Sequence, residues 1–286
     1  MALPPTLKSG YRLWYYYPSV PGAVVVAVIF AALALVHCVF IMKTRKRFCI
    51  PLLIGAIFEL AGYAFRVRAH THITSLVSYA GQSMLILLAP ILFAASVYMY
   101  LARVVISVHG ERHSIIPVQF LTKIFVCGDV LCFCIQGGGG GLMAALSSAR
   151  TVGERMILAG MILQIIIFLF FVATAWIWHV RMRREKSSSL QFGHYETSWQ
   201  YLIVSLYIIS VLITFRNIIR TIEYGMGASG YLLTHEWVIF VFDAVPMMFV
   251  LAISAVWYRT DIGRRRTLPE PESLQEIPTE MTVFVK

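Results

Sequence analysis

The sequence is short of charge. Asp, Glu, Lys and Arg make up 13% of its 286 residues, about half of what a soluble domain carries. That shortfall excludes an ordinary soluble globular domain. Asparagine is nearly missing: Asn217 is the only one, and Ile218 and Ile219 after it rule out a glycosylation sequon. Cysteine is sparse, and Cys38, Cys49, Cys127, Cys132 and Cys134 all lie in or beside apolar segments. No disulfide framework is implied. On a helix the Cys132-x-Cys134 pair splays apart by about 200°, which argues against a metal or redox pair. The glycine run at 137–141 lacks the Gly-Lys-Ser/Thr that closes a phosphate loop, and no other ATP-binding motif is present. The first 20 residues, aromatic and proline-containing, do not have the form of a cleavable signal.

What the sequence has is apolar length. Hydrophobic residues make up 59% of it. Seven apolar runs, at 21–42, 48–66, 76–105, 118–136, 155–179, 199–223 and 236–258, approach or exceed the roughly 20 residues that cross the hydrocarbon core. The expected fold class is an all-α membrane protein, a seven-transmembrane helix bundle. Residues 1–20 read as an extracellular head, 21–258 as the membrane domain, and 259–286 as a Pro- and Glu-rich disordered cytoplasmic tail. Trp14-Tyr15-Tyr16-Tyr17, just ahead of the first run, reads as an interfacial anchor.

The net charge of +10 sits between these runs. Basic residues follow the odd-numbered runs: Lys43 to Arg47; Arg103, Arg112 and Lys123; Arg181, Arg183, Arg184 and Lys186; Arg259, Arg264, Arg265 and Arg266. The alternate segments are poorer in them. By the positive-inside rule the N-terminus is outside and the C-terminus cytoplasmic. No basic patch interleaved with stacking aromatics appears on a soluble segment, so no nucleic-acid partner is expected.

Polar groups within the runs carry the functional information. A charge at the bilayer centre costs about 2.5–3.5 kcal/mol on insertion scales, so those that persist pair or line a path. The stretch 215–247 joins the last two runs through a glycine-rich turn, Gly225 to Gly230, and carries Arg216, Arg220, Glu223, His235, Glu236 and Asp243. Helical spacing puts Arg216, Arg220 and Glu223 on one stripe, and Glu236 and Asp243 on one stripe of the next helix. Glu59, Tyr63 and Arg66 share a face, as do Asp129 and Gln136, with both acids near mid-depth. Gln82 and Pro90 interrupt the third run, where proline frees a carbonyl. Gln164 reads as glue between helices. The five glycines are expected to end the fourth helix in irregular backbone, which lipid tolerates only where it is buried in protein or faces a wet cavity. The candidate path is Glu59, Arg66, Gln82, Asp129, Gln136, Arg216, Arg220, Glu223, Glu236 and Asp243, lining a polar cavity open to the outer side. The plainer reading of the same residues is helix-end arginines and structural ion pairs. No catalytic set, metal site or cofactor is expected. His70 and His72 read as solvated, His37 as packed or hydrogen-bonded, and His235-Glu236 with Asp243 does not complete a zinc set.

These residues also fall into blocks: Glu59-Leu-Ala-Gly-Tyr-Ala-Phe-Arg66; Gln82 with Leu88-Ala-Pro-Ile-Leu-Phe-Ala-Ala-Ser-Val-Tyr98; Gly128-Asp129 with Gln136-Gly-Gly-Gly; Gly160 with Gln164; Phe215-Arg216 through Arg220 and Glu223; Thr234-His-Glu-Trp237; and Phe242-Asp-Ala-Val-Pro-Met247. In these the chain resembles the fungal RTA-like proteins, or lipid-translocating exporters, across all seven runs. Members of that family confer resistance to toxic amphiphiles such as aminocholesterol, and one branch is associated with release of sphingoid long-chain bases. Ala23, Phe240 and Tyr258-Arg259 depart from the family pattern.

The resemblance implies a membrane lipid translocator whose partners are membrane lipids, sphingoid bases or similar amphiphiles. Acids at mid-depth would hold the ammonium while the alkyl tail stays in lipid. Without an ATP-binding motif, active export would draw on a proton or substrate gradient, or on a partner. A seven-span receptor or lipid sensor is the alternative, and an intramembrane zinc hydrolase a weaker one. The plasma membrane is the first expectation for location, the vacuole or another endomembrane the second; oligomeric state is open. The orientation is checked by epitope tags: in intact cells a tag before Met1 is expected to be reached by an impermeant antibody and a tag after Lys286 only once the cells are permeabilised. The opposite pattern refutes the assigned orientation.

Overall fold

Proline opens three of the helices. Pro21, Pro51 and Pro246 stand in the first turn of their elements, where a missing N–H leaves no helical bond unmade. The computed structural model describes residues 14, 16–108, 110–145, 150–186, 196–226 and 235–258. The tail expected over 259–286, most of the head, and the glycine-rich turn from 227 onward lie outside the described residues. The helices are α1 Val20–Thr44, α2 Ile50–Thr71, α3 Leu76–Ser107, α4 Val118–Ala145, α5 Arg150–Lys186 and α6 Glu196–Met226. The seventh span begins with a π-helical stretch, Ile239–Ala244, passes into α7, Val245–Ser254, and ends in the 3-10 turn Ala255–Tyr258. Seven helical segments are long and apolar enough to cross a membrane. The protein is an all-α integral membrane protein, with no strand among the described residues.

Each helix packs on its neighbours in sequence. The seventh span returns to α1 and α6, and α3 contacts α2, α4, α5 and α6. In its most apolar window α3 is 67% buried, against 22% for α1 and for α4, so α3 is the central post. The apolar residues of α1 and α4 turn outward instead: Val25, Val28, Leu35, Ile124 and Leu131 are exposed. In lipid this is the expected face, because every backbone group is already bonded within its helix.

Aromatic side chains stitch the centre. Tyr100 of α3 stacks on Trp257 with ring centroids 4.0 Å apart, and the Trp257 indole donates to Ser205 of α6 at 3.1 Å. Tyr63 of α2 lies between Phe30 of α1 and Phe240 of the seventh span. His37, buried in α1, bonds to the Tyr258 hydroxyl and to the Leu251 carbonyl, both at 3.0 Å.

The glycine run does not break its helix. α4 continues through Gly137–Gly141 to Ala145, contrary to the expectation of irregular backbone there. The reason is the seam with α5. A Cβ on Gly139 would lie 2.7 Å from the Gly153 carbonyl, and one on Gly153 would lie 2.6 Å from the Gly139 carbonyl. A Cβ on Gly160 would lie 2.7 Å from the Gln136 side chain and 3.1 Å from the Cys132 carbonyl. Small residues let two backbones approach, and packing between helices then outweighs the poor helix propensity of glycine.

The seam makes a clear prediction. Gly153→Ala forces backbone apart and is expected to destabilise by about 1–3 kcal/mol, the range for overpacking. Gly137→Ala, where a Cβ meets nothing within 4 Å, is expected to be neutral or to stabilise by up to about 1 kcal/mol. Thermal unfolding of the two variants in detergent, compared with wild type, checks both signs.

Candidate functional site

The site begins with a proline. Pro90 lies inside α3 and has no N–H for the carbonyl four residues earlier, that of Ile86. That carbonyl accepts instead from Arg216 Nη2 of α6 at 2.9 Å. Arg216 Nε bonds to Asp243 Oδ1. Asp243 lies in the π-helical stretch, where the Val245 N–H reaches back five residues to the Phe240 carbonyl just ahead of Pro246. The wider turn and the proline together hold Asp243 toward α6, and π-bulges often mark functional positions. Arg220, one turn beyond Arg216, grips the same carboxylate from the side: its Nε lies 3.3 Å from Oδ1 and its Nη2 3.0 Å from Oδ2. Its remaining nitrogen bonds to Glu223 at 3.1 Å. A two-pronged guanidinium–carboxylate contact is among the strongest of hydrogen-bonded pairs.

Arg216 and Asp243 are out of water. Arg216 is 1% exposed and Asp243 3%. Glu59, at the centre of the span Arg47–Thr71, is 0% exposed and lies within electrostatic reach of Asp243, Arg216 and Arg220. A narrow cleft reaches the network between α3, α5 and α6, lined by Leu87, Met161, Gln164, Arg216, Asn217, Arg220 and Thr221.

A second cluster closes the end of the bundle where α2 finishes. Arg66 Nη2 bonds to Glu236 Oε1 at 2.8 Å and to the Tyr16 hydroxyl at 3.0 Å. The rings of Trp14, Tyr16 and Phe240 stand 5.4–5.7 Å from the guanidinium carbon, a cation–π arrangement. The same Glu236 oxygen accepts the Ser19 N–H at 2.7 Å, and His70 bonds to the Pro18 carbonyl at 2.9 Å. The chain before α1 is thus strapped across α2 and the start of the seventh span. Trp14, expected as an interfacial anchor, is buried edge-on against Tyr79, because Arg66, Ala69 and the start of α3 offer it a packed niche.

A third group lies between α3, α4 and α5. Asp129 Oδ2 accepts from the Tyr98 hydroxyl at 2.8 Å, amid Phe125, Phe168 and Phe171. Gln136 donates to Gln164 at 2.9 Å. Gln82 is buried, and its side-chain oxygen has no hydrogen-bond partner.

All ten path candidates thus fall within the described residues, and the structure divides them. Arg216, Arg220, Glu223 and Asp243 come together, with Glu59 beside them. Arg66 and Glu236 form a separate pair. Asp129, Gln136 and Gln82 stand apart. Two expectations need correction. Glu236 and Asp243 do not act from one stripe: Glu236 lies in the turn before the helix and the π-helical stretch rotates Asp243 to another partner. The expected open polar cavity is instead a set of buried charges, paired among themselves except for Glu59, with a narrow cleft beside them. The sequence does not show that Tyr98 bonds Asp129, that Tyr16 bonds Arg66 or that Arg216 takes the proline-freed carbonyl, since no spacing along the chain links residue 98 to 129, residue 16 to 66 or residue 86 to 216. Among the described residues, no group of three or more His, Cys, Asp or Glu is placed to hold a metal ion.

The fold and site define a seven-helix integral membrane protein built around a buried charge network. The family model described as RTA1 like protein matches residues 52–265, and the chain belongs to the RTA1-like family. It is 36% identical over 72% of its length to protein RTM1 of Saccharomyces cerevisiae, covering 66% of that protein. It is 30% identical over 88% of its length to protoporphyrin uptake protein 1 of the same yeast, covering 93% of it. It is 23% identical over 90% of its length to the yeast sphingoid long-chain base transporter RSB1, covering 78% of that protein. No solved structure matches the chain.

Breaking a buried ion pair from one side costs about 3–5 kcal/mol, because a buried charge is left uncompensated. Asp243→Asn is expected to fall in that range, since two arginines lose a partner. The double variant Arg216→Met/Asp243→Asn is expected to be more stable than the sum of its single losses by at least about 1 kcal/mol. Unfolding titrations in mixed micelles measure the cycle; strictly additive losses would show that the two groups do not share a bond.

Proposed function

We propose that this chain is a membrane translocator of amphiphilic lipid-like compounds, with sphingoid long-chain bases as its substrate class, and that it confers resistance to toxic amphiphiles of this kind. It acts as a transporter and not as an enzyme. Its N-terminus lies outside and its C-terminal tail in the cytoplasm, in the plasma membrane. The observation that carries the reading is the buried charge network joining α2, α6 and the seventh span at the centre of a bundle from this family.

The chemistry fits. A sphingoid base has a cationic amine, hydroxyl groups and a long alkyl tail. The acidic groups Glu59, Asp129, Glu223, Glu236 and Asp243 supply partners for the amine within the membrane, with Gln82 and Gln136 for hydroxyls, while the tail remains in lipid. Arg66 holds Glu236, and Arg216 and Arg220 hold Asp243 and Glu223, when no substrate is present, since unpaired charges in a low-dielectric setting are costly. The strap over Arg66 and Glu236 covers the outer end of this route. Opening the route means trading internal ion pairs for contacts with the substrate head group.

The reading is tested by flipping of a fluorescent sphingoid base in proteoliposomes. The purified protein is expected to move the free base, and to move its uncharged N-acetyl analogue at least about tenfold more slowly, a difference of one charge-assisted hydrogen bond. Binding of the base without movement would favour a receptor or sensor. Movement of protoporphyrin with none of the base would align this chain with its porphyrin-uptake relative instead.

A further inference from the structure

Three carboxylates and two guanidiniums meet in the core: Glu59, Asp243 and Glu223 with Arg216 and Arg220. Fully ionised, the group has one negative charge in excess. The hydrogen bonds locate it. Asp243 accepts on both oxygens, and so does Glu223. Glu59 accepts on neither, although it is 0% exposed and central in its span.

Its charged and titratable neighbours are Asp243 of the seventh span, Arg216 and Arg220 of α6, and Tyr63 one turn along α2. Both arginines give hydrogen bonds to Asp243, Glu223 or the Ile86 carbonyl, and none to Glu59. Asp243 repels it. The Tyr63 hydroxyl, like Glu59, has no hydrogen-bond partner. A bare carboxylate so placed is costly, and the cost is removed by one proton or by one cation.

We infer that Glu59 is a single-charge exchange site, where a proton and the ammonium group of an amphiphile compete for one carboxylate. In the exchange the carboxylic O–H bond breaks and its proton leaves to water. The ammonium N–H groups then bond to the carboxylate oxygens. The core is neutral before and after, so an amine entering the site in one direction releases one proton. The identity of the amine rests on the transport reading; the exchange at Glu59 rests on the geometry of the core.

The test uses the full chain in detergent and sphinganine as the probe. Calorimetric titrations in buffers of different protonation heat are expected to show release of about one proton per base bound, with affinity rising about tenfold per pH unit while the amine stays charged. Glu59→Gln, which keeps the shape of the side chain, is expected to abolish the release and weaken binding at least about tenfold. Glu59→Asp is expected to retain the release. Binding by wild type with no proton release overturns the inference, as does unchanged affinity and release in Glu59→Gln. The wild-type measurement decides the matter even where a variant fails to fold. Proteoliposomes separate the two ideas: equal movement of the base by wild type and Glu59→Gln leaves the transporter and removes Glu59 as its exchange site. Proton release without movement supports the exchange site and removes the transporter.

Discussion

A buried guanidinium has five N–H donors and no way to lose its charge, and the placement of Arg216 governs the middle of this bundle. Its needs are met from three directions: the Ile86 carbonyl of α3, the Asp243 carboxylate of the seventh span, and its own helix. The carbonyl is available because Pro90 supplies no N–H for it. The carboxylate is available because the π-helical stretch before Pro246 turns it inward. Pro90 thus frees the backbone carbonyl that Arg216 binds, and the π-helical stretch ahead of Pro246 presents the carboxylate that it pairs with. Proline is tolerated in membrane helices when neighbouring groups satisfy what it leaves open, and here the satisfied group ties three helices into one unit.

The polar groups divide into layers with different characters. The layer at Arg66 and Glu236 is an ion pair bordered by aromatic rings and closed by the chain before α1. The central layer holds five charges with little contact with water. To one side of it, Asp129 and Gln136 engage the α3, α4 and α5 side of the bundle through Tyr98 and Gln164. α3 touches every layer, which accounts for its being the most buried helix. The α4–α5 seam contributes differently, by close backbone approach at glycine rather than by charge.

Much of the fold was legible in order of residues alone. Seven apolar runs long enough to span a bilayer follow from counting, because a helix in lipid must bond its own backbone along its whole length. The acids and bases that matter were also visible, because a charge in such a run stands out against everything around it. The path role assigned to them remains a proposal. The glycine run misled, because propensity describes a helix in isolation and says nothing of a second helix pressed against it. The stripe of Glu236 and Asp243 misled in a similar way: helical spacing assumes 3.6 residues per turn, and the π-helical stretch does not keep it.

The sequence by itself determined that this is a seven-helix membrane protein with ionisable groups inside it, since hydrophobic length and isolated charge are local properties. Tertiary structure alone decided who pairs with whom. It joined Arg216 to a carbonyl 130 residues away, separated Glu236 from Asp243, and left Glu59 among charges with no hydrogen bond of its own. Each of these depends on helix rotation and close approach, which packing sets and the order of residues along the chain does not display.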